Sequence, residues 1–131
     1  MKRSGHCLCG SVRFAFKGEE NWSGYCHCDS CRRATASPIT AFIGLPNGRW
    51  RWTGALPATF ASSPGVTRSF CPICGSQVSY QTDALPDEIH FYAALLDDPE
   101  TYQPEVHFHW DEHLKWLEIE DDLEKRTPSS S

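Results

Sequence analysis

The 131-residue chain is 40% hydrophobic and 22% charged, the balance of an ordinary globular domain with one core. No apolar run nears the roughly 20 residues that span a bilayer, so no membrane role is expected. The formal net charge of −5 and the acidic pI of about 5.6 disfavour nucleic acid as a partner.

In chain order, the opening Met1-Lys2-Arg3-Ser4 is not followed by the apolar stretch of a secretory signal, which predicts a cytoplasmic protein. Val12, Phe14 and Phe16 alternate with Arg13, Ala15 and Lys17 and predict a half-buried strand. A short helical turn is expected at residues 29–34, then a strand at 39–43. Trp50 and Trp52 alternate with Arg49 and Arg51 between Asn47-Gly48 and Gly54, which predicts a third strand. Residues 66–70 and 77–81 predict two more. The alternation Ile89, Phe91, Ala93, Leu95 predicts a strand running to Leu95, and residues 106–110 close the set. Another turn is expected at 99–102. Frequent Pro and Gly exclude long helices. The sum is a mainly β domain over residues 1–126 with a thin core that bound metal would help to stabilise, and a disordered tail at 127–131. Charge is uneven along it: residues 1–82 sum to +6 and residues 83–131 to −11. Either these are two solvated faces, or the positive part attracts a small anionic ligand.

Seven cysteines in a reducing compartment point to metal rather than disulfides, and the odd number argues the same way. They form three clusters. Cys71-Pro72-Ile73-Cys74-Gly75 has the zinc-knuckle shape, where two thiolates reach one ion across a tight turn and the glycine admits a positive φ. Cys7 and Cys9, with Gly10 behind them, are the natural donors of the two missing sulfurs, giving a closed four-thiolate site. The alternative for Cys71 and Cys74 is a redox dithiol, but no thioredoxin-like βαβ pattern surrounds it.

Cys26, Cys28 and Cys31 remain, with no fourth cysteine. Three protein ligands and an open position are the arrangement of a catalytic zinc. His27 between two ligands is a candidate fourth, although the middle side chain of an extended Cys-x-Cys points away from the metal. His107, His109 and His113 form a crowded set able to act from across the pocket. Three thiolates leave a zinc site at −1, a poor acidifier of water but suited to holding a fourth thiol in nucleophilic form. Arg32 and Arg33 are either solvated or hold a substrate carboxylate.

At these residues the chain resembles the glutathione-dependent formaldehyde-activating enzyme family, which also includes centromere protein V. The resemblance rests on Gly5-His6-Cys7-Leu8-Cys9-Gly10-Ser11-Val12-Arg13-Phe14, on residues 26–38 starting Cys26-His27-Cys28-Asp29-Ser30-Cys31, on residues 68–76 around Cys71 and Cys74, and on Pro104, His107, Trp116, Leu117 and Asp121-Asp122-Leu123. It implies a β-tent of short coiled antiparallel sheets, as in methionine-R-sulfoxide reductases. It implies a structural zinc on Cys7, Cys9, Cys71 and Cys74, and a second, catalytic or labile zinc on Cys26, Cys28 and Cys31. The implied activity is addition of glutathione to formaldehyde, formally that of a carbon–sulfur lyase. Many members of the family carry glycine where this chain has Ala36, so a positive φ there would alter the loop. Two other functions compete: a zinc-stabilised binding module presenting Trp50 and Trp52, and a redox or metal-handling role of Cys26, Cys28 and Cys31 without bound zinc.

Overall fold

The computed structural model describes residues 2–127, so the tail expected to be disordered lies, apart from Thr127, outside the described residues. The fold is mainly β, in two open sheets. The smaller sheet joins β1 (Lys2–His6), β2 (Arg13–Lys17) and β5 (Trp50–Trp52), antiparallel, in the order β1-β2-β5. The larger contains β3 (Trp22–Cys26), β4 (Thr40–Pro46), β6 (Ala58–Ser63), β7 (Val66–Phe70), β8 (Gln77–Thr82), β9 (Glu88–Tyr92), β10 (Val106–Phe108) and β11 (Glu124–Lys125). Its order is β11-β10-β3-β4-β9-β8-β7-β6. All its pairings are antiparallel except those of β10, which lies parallel to β3 and to β11. The single α-helix among the described residues, α1 (Asp29–Thr35), links β3 to β4. No helix among them is long and apolar enough to cross a membrane.

The core lies between the sheets. Phe14 of β2 stacks on Phe91 of β9 with ring centroids 4.0 Å apart, and Trp50 and Trp52 meet the same Phe91 edge-on at 5.5 and 5.6 Å. Val12, Ile43, Leu45, Val78 and Ile89 fill the remaining space, all fully buried. Burying such side chains is the main stabilising term of the fold. The two tryptophans are thus packed against the core on one side and half-buried.

Two-face alternation understates burial in the central strands. On β9, His90 and Tyr92 are buried as well as Ile89 and Phe91, because the second face of β4 and β9 carries another cluster built from Cys26, Cys31, Phe42 and Tyr92. The strand expected to reach Leu95 ends at Tyr92. The last pair of β9 with β4 is Phe42 with Tyr92, and Ala93–Leu95 then closes as a 3₁₀ turn through Leu96 N–H to Ala93 C=O, after which Leu96 bridges to Gly5 of β1. The strand expected at 106–110 stops at Phe108, where His109 turns into the left-handed region (φ 55°).

Ala36 terminates α1 in that same region (φ 54°, ψ 35°), with its N–H donating to the Arg32 carbonyl. Glycine is the residue suited to this cap, and a Cβ there costs on the order of 1 kcal/mol. Ala36→Gly is expected to raise the midpoint of thermal unfolding by about 3 °C; an unchanged or lowered midpoint would contradict the strain.

Candidate metal centres

Two loops from different sheets build the first centre. Cys7 follows β1 and Cys71 follows β7, and both are buried. In each loop a backbone bond closes the turn, Gly10 N–H to Cys7 C=O (3.0 Å) and Gly75 N–H to Cys71 C=O (2.8 Å), with Gly10 and Gly75 at φ 83° and 80°. These turns aim Cys7, Cys9, Cys71 and Cys74 at one point, with all four Sγ atoms within 4.8 Å of one another. Cys9 lies 3.6 Å from Cys7 and 3.7 Å from Cys71, sulfur to sulfur. Tetrahedral bonding to zinc at about 2.3 Å puts sulfurs about 3.8 Å apart, so the donor set fits that ion. Backbone N–H groups of Val12 and Cys74 approach Cys7 Sγ and Cys71 Sγ at 3.4 and 3.5 Å, as suits thiolates. The Ser76 hydroxyl, 3.2 Å from Cys74 Sγ, leads the interactions that lower the Cys74 thiol to about 5.

The second centre gathers where β3 runs into α1. Cys26 ends the strand, Cys28 is the N-cap and Cys31 lies in the first helical turn. Their Sγ atoms also lie within 4.8 Å of one another, and among the described residues no further His, Cys, Asp or Glu joins the group. The Cys31 N–H donates to Cys28 Sγ at 3.4 Å. Hydrogen bonds from the Cys26 and Cys31 thiols, opposed by burial, hold Cys28 below the ordinary thiol range. The seven sulfurs thus gather as a four and a three, and all seven cysteines are free of disulfides.

His27 does not face the sulfurs. Its Nε2 meets His107 Nδ1 at 2.8 Å, and His107 Nε2 meets Asp121 Oδ2 at 2.9 Å. With Asp121 accepting from His107 Nε2–H, His107 Nδ1 accepts from His27 Nε2–H, which leaves His27 Nδ1 as a bare acceptor. That atom is buried without a protein partner. Burial, with His107 and His113 close by, pushes His27 down to about 4. The parallel approach of β10 to β3 makes this chain possible, and Gly24 permits it: a Cβ there would sit 2.7 Å from the Val106 carbonyl. His113 instead stacks on Trp110 with centroids 3.8 Å apart, and His109 lies 3.5 Å from Glu112.

Beside the second centre lies a cavity of about 690 Å³ between α1 and strands β6, β7 and β8. Asp29, Ser30, Arg33, Phe60, Arg68 and Tyr80 are among its lining residues. Of the two arginines singled out in sequence, Arg33 borders this cavity but is ion-paired to Asp29 at 3.0 Å. Arg32 turns back onto the His27 carbonyl at 3.2 Å. The basic group nearest the sulfurs is Arg68 of β7. Its Nη2 and Nη1 lie 3.7 and 3.9 Å from Cys31 Sγ, and Nη1 also donates to Tyr92 OH at 3.3 Å. Burial pushes Arg68 down, but the Cys31 sulfur together with the Tyr92 hydroxyl offsets it and the net shift is upward. In sequence Arg68 was marked only as the first residue of the motif at 68–76, three residues before Cys71, on the strand that serves both centres.

The family model described as glutathione-dependent formaldehyde-activating enzyme matches residues 2–112. A crystal structure of a Rhodobacter sphaeroides protein shares the fold, with a TM-score of 0.61 at 20% identity over 72% of this chain and 88% of that one. No curated protein matches the chain. The match of the family model over most of the sequence, spanning all three cysteine clusters, places this chain in the glutathione-dependent formaldehyde-activating enzyme family.

Proposed function

We propose that this chain is a zinc-dependent carbon–sulfur lyase that joins a small thiol, glutathione in the first instance, to an aldehyde such as formaldehyde, or runs the reverse reaction. Family membership supports this reading, and one observation carries it: three converging sulfurs with no fourth ligand among the described residues, beside a cavity large enough for a tripeptide-sized thiol. Cys7, Cys9, Cys71 and Cys74 would hold a structural zinc, and Cys26, Cys28 and Cys31 a second, more labile one. When bound, that second ion would supply an electron-rich open position that stabilises a thiolate. In the net reaction a sulfur–carbon bond forms, the carbonyl π bond breaks, and the thiol proton ends on the new hydroxyl, with no change of oxidation state.

The chain's own groups then provide the setting. Arg33 and Asp29 border the cavity as a linked charge pair, so a substrate carboxylate would compete with Asp29 for the guanidinium. Phe60 and Tyr80 supply apolar walls. The chemistry requires reduced thiols, which supports a cytoplasmic location.

The zinc-loaded protein, mixed with glutathione and formaldehyde, is expected to speed formation and breakdown of the hemithioacetal, read by exchange NMR. Further thiol and aldehyde pairs follow from the same assay. Exchange no faster than in buffer for every pair would overturn the proposal.

A further inference from the structure

Arg68 is 4% exposed, and among the described residues no carboxylate pairs with it. Its neighbours are Cys31 Sγ, the Tyr92 and Ser62 hydroxyls, and the face of Tyr80 with its guanidinium carbon 4.9 Å from the ring centroid. Tyr92 is buried, and that burial pushes its hydroxyl up to about 12, so it stays neutral. A buried guanidinium without an opposite charge is strongly unfavourable. The group beside it that a bound metal would leave anionic is Cys31 Sγ, and the sulfurs of Cys26 and Cys28 lie within 4.8 Å of that atom.

The charge of the second centre is then different from what the three sulfurs alone give. Three thiolates around a divalent ion sum to −1, and Arg68 brings the cluster to zero. A neutral fourth donor would leave it at zero. An anionic one would bring it to −1, where without Arg68 it would reach −2. Arg68 also lines the cavity beside this centre, so its charge would act on a fourth donor arriving from that side as well as on Cys31.

We propose that Arg68 is a specificity-determining residue of the second centre, selecting an anionic fourth donor, a thiolate, over a neutral one through its position against Cys31 at the cavity wall. The proposal rests on the reading of Cys26, Cys28 and Cys31 as a three-sulfur zinc site. Arg68 coordinates nothing and takes no part in bond making. It sets which charge type of ligand the vacant position prefers.

The test uses the full chain loaded with cobalt(II), whose visible and near-ultraviolet bands report the sulfurs around each ion. Mercaptoethanol is the anionic probe, because it lacks a carboxylate that other residues could bind, and imidazole is the neutral one. In the wild type, mercaptoethanol should add sulfur-to-cobalt intensity saturably. In Arg68→Gln its dissociation constant should rise about tenfold or more, while that of imidazole moves by less than about threefold. Arg68→Lys keeps the charge and should hold the thiol preference near that of the wild type. The bands of the Cys7, Cys9, Cys71 and Cys74 site report whether each variant is folded. If Arg68→Gln drops cobalt from the second centre, the ratio of thiol to imidazole affinity in Arg68→Lys decides the matter.

The inference is overturned if Arg68→Gln binds the thiol as tightly as the wild type, if both probes weaken equally, or if Arg68→Lys loses the preference. A wild type that takes up a single cobalt, or shows no spectral response to the thiol, overturns the three-sulfur reading itself and this inference with it. A responsive wild type beside an equally responsive Arg68→Gln overturns the role of Arg68 alone.

Discussion

Cys71→Ser is expected to unfold the domain, or to lower its thermal midpoint by at least about 15 °C. Cys71 has no exposed surface and belongs to the four sulfurs that tie the turn after β1 to the turn after β7. Those turns belong to different sheets, so a metal held by the four sulfurs would act as a clasp across the core. A structural zinc contributes an apparent free energy of about 10–16 kcal/mol, against a typical net stability of about 5–15 kcal/mol for a whole domain. Serine keeps the size of the side chain but is not ionised at neutral pH and is a poor ligand. It also leaves a hydroxyl in a position built for a thiolate. Near-ultraviolet circular dichroism followed through a thermal melt reads the result. A cooperative transition within about 3 °C of the wild type would show that the clasp is dispensable.

Cys28→Ser should do the opposite: keep the fold and lose turnover by at least about a hundredfold in kcat/KM. Cys28 is the N-cap of α1, where its sulfur accepts from the Cys31 N–H. Serine is among the best residues at that position, so the helix start survives and stability should stay within about 1 kcal/mol of the wild type. The metal chemistry does not survive, because one of three ligands has gone. Thermal unfolding and the hemithioacetal exchange assay, run on the same preparation, separate the two effects. An active variant, or an unfolded one, would contradict the division of labour between the centres.

The grouping of the sulfurs was legible because each cluster is local and carries its own punctuation. Two pairs stand before Gly10 and Gly75, and the remaining three sulfurs fit within six residues. Strands with apolar residues at alternate positions were legible too, as with Phe14 and Phe16 on β2. What could not be read was set by partners distant in sequence. β1 is polar and holds its place by pairing with β2, residue by residue from Lys2 opposite Lys17 to His6 opposite Arg13. β6 is largely exposed and has no hydrophobic face to betray it. His107 reaches His27 only because β10 lies parallel to β3, a pairing that leaves no local mark. Arg68 stood in sequence only as the first residue of the motif around Cys71 and Cys74, with no role of its own. Its burial against Cys31 depends on α1 and β7 coming together across 37 positions of sequence.

Arg68 also changes how the second centre is understood. The sulfur set alone describes an anionic trap for zinc. With a buried guanidinium at Cys31 the same set, loaded with zinc, would become a neutral pocket able to accept one more negative charge. The four-sulfur centre has no such neighbour among its hydrogen bonds, where serine hydroxyls and backbone N–H groups approach the thiolates instead. On the proposed reading the fourfold site would be closed by its own sulfurs, and the threefold one would be left to receive a ligand.

Zinc per chain in Cys28→Ser, counted beside the wild type after identical gentle purification, puts that division to the most direct trial. Two ions in the native protein and one in the variant, which still melts cooperatively, is the outcome that two independent centres require. Equal metal in both proteins, or its complete loss from the variant, would mean that the seven sulfurs do not divide their work in this way.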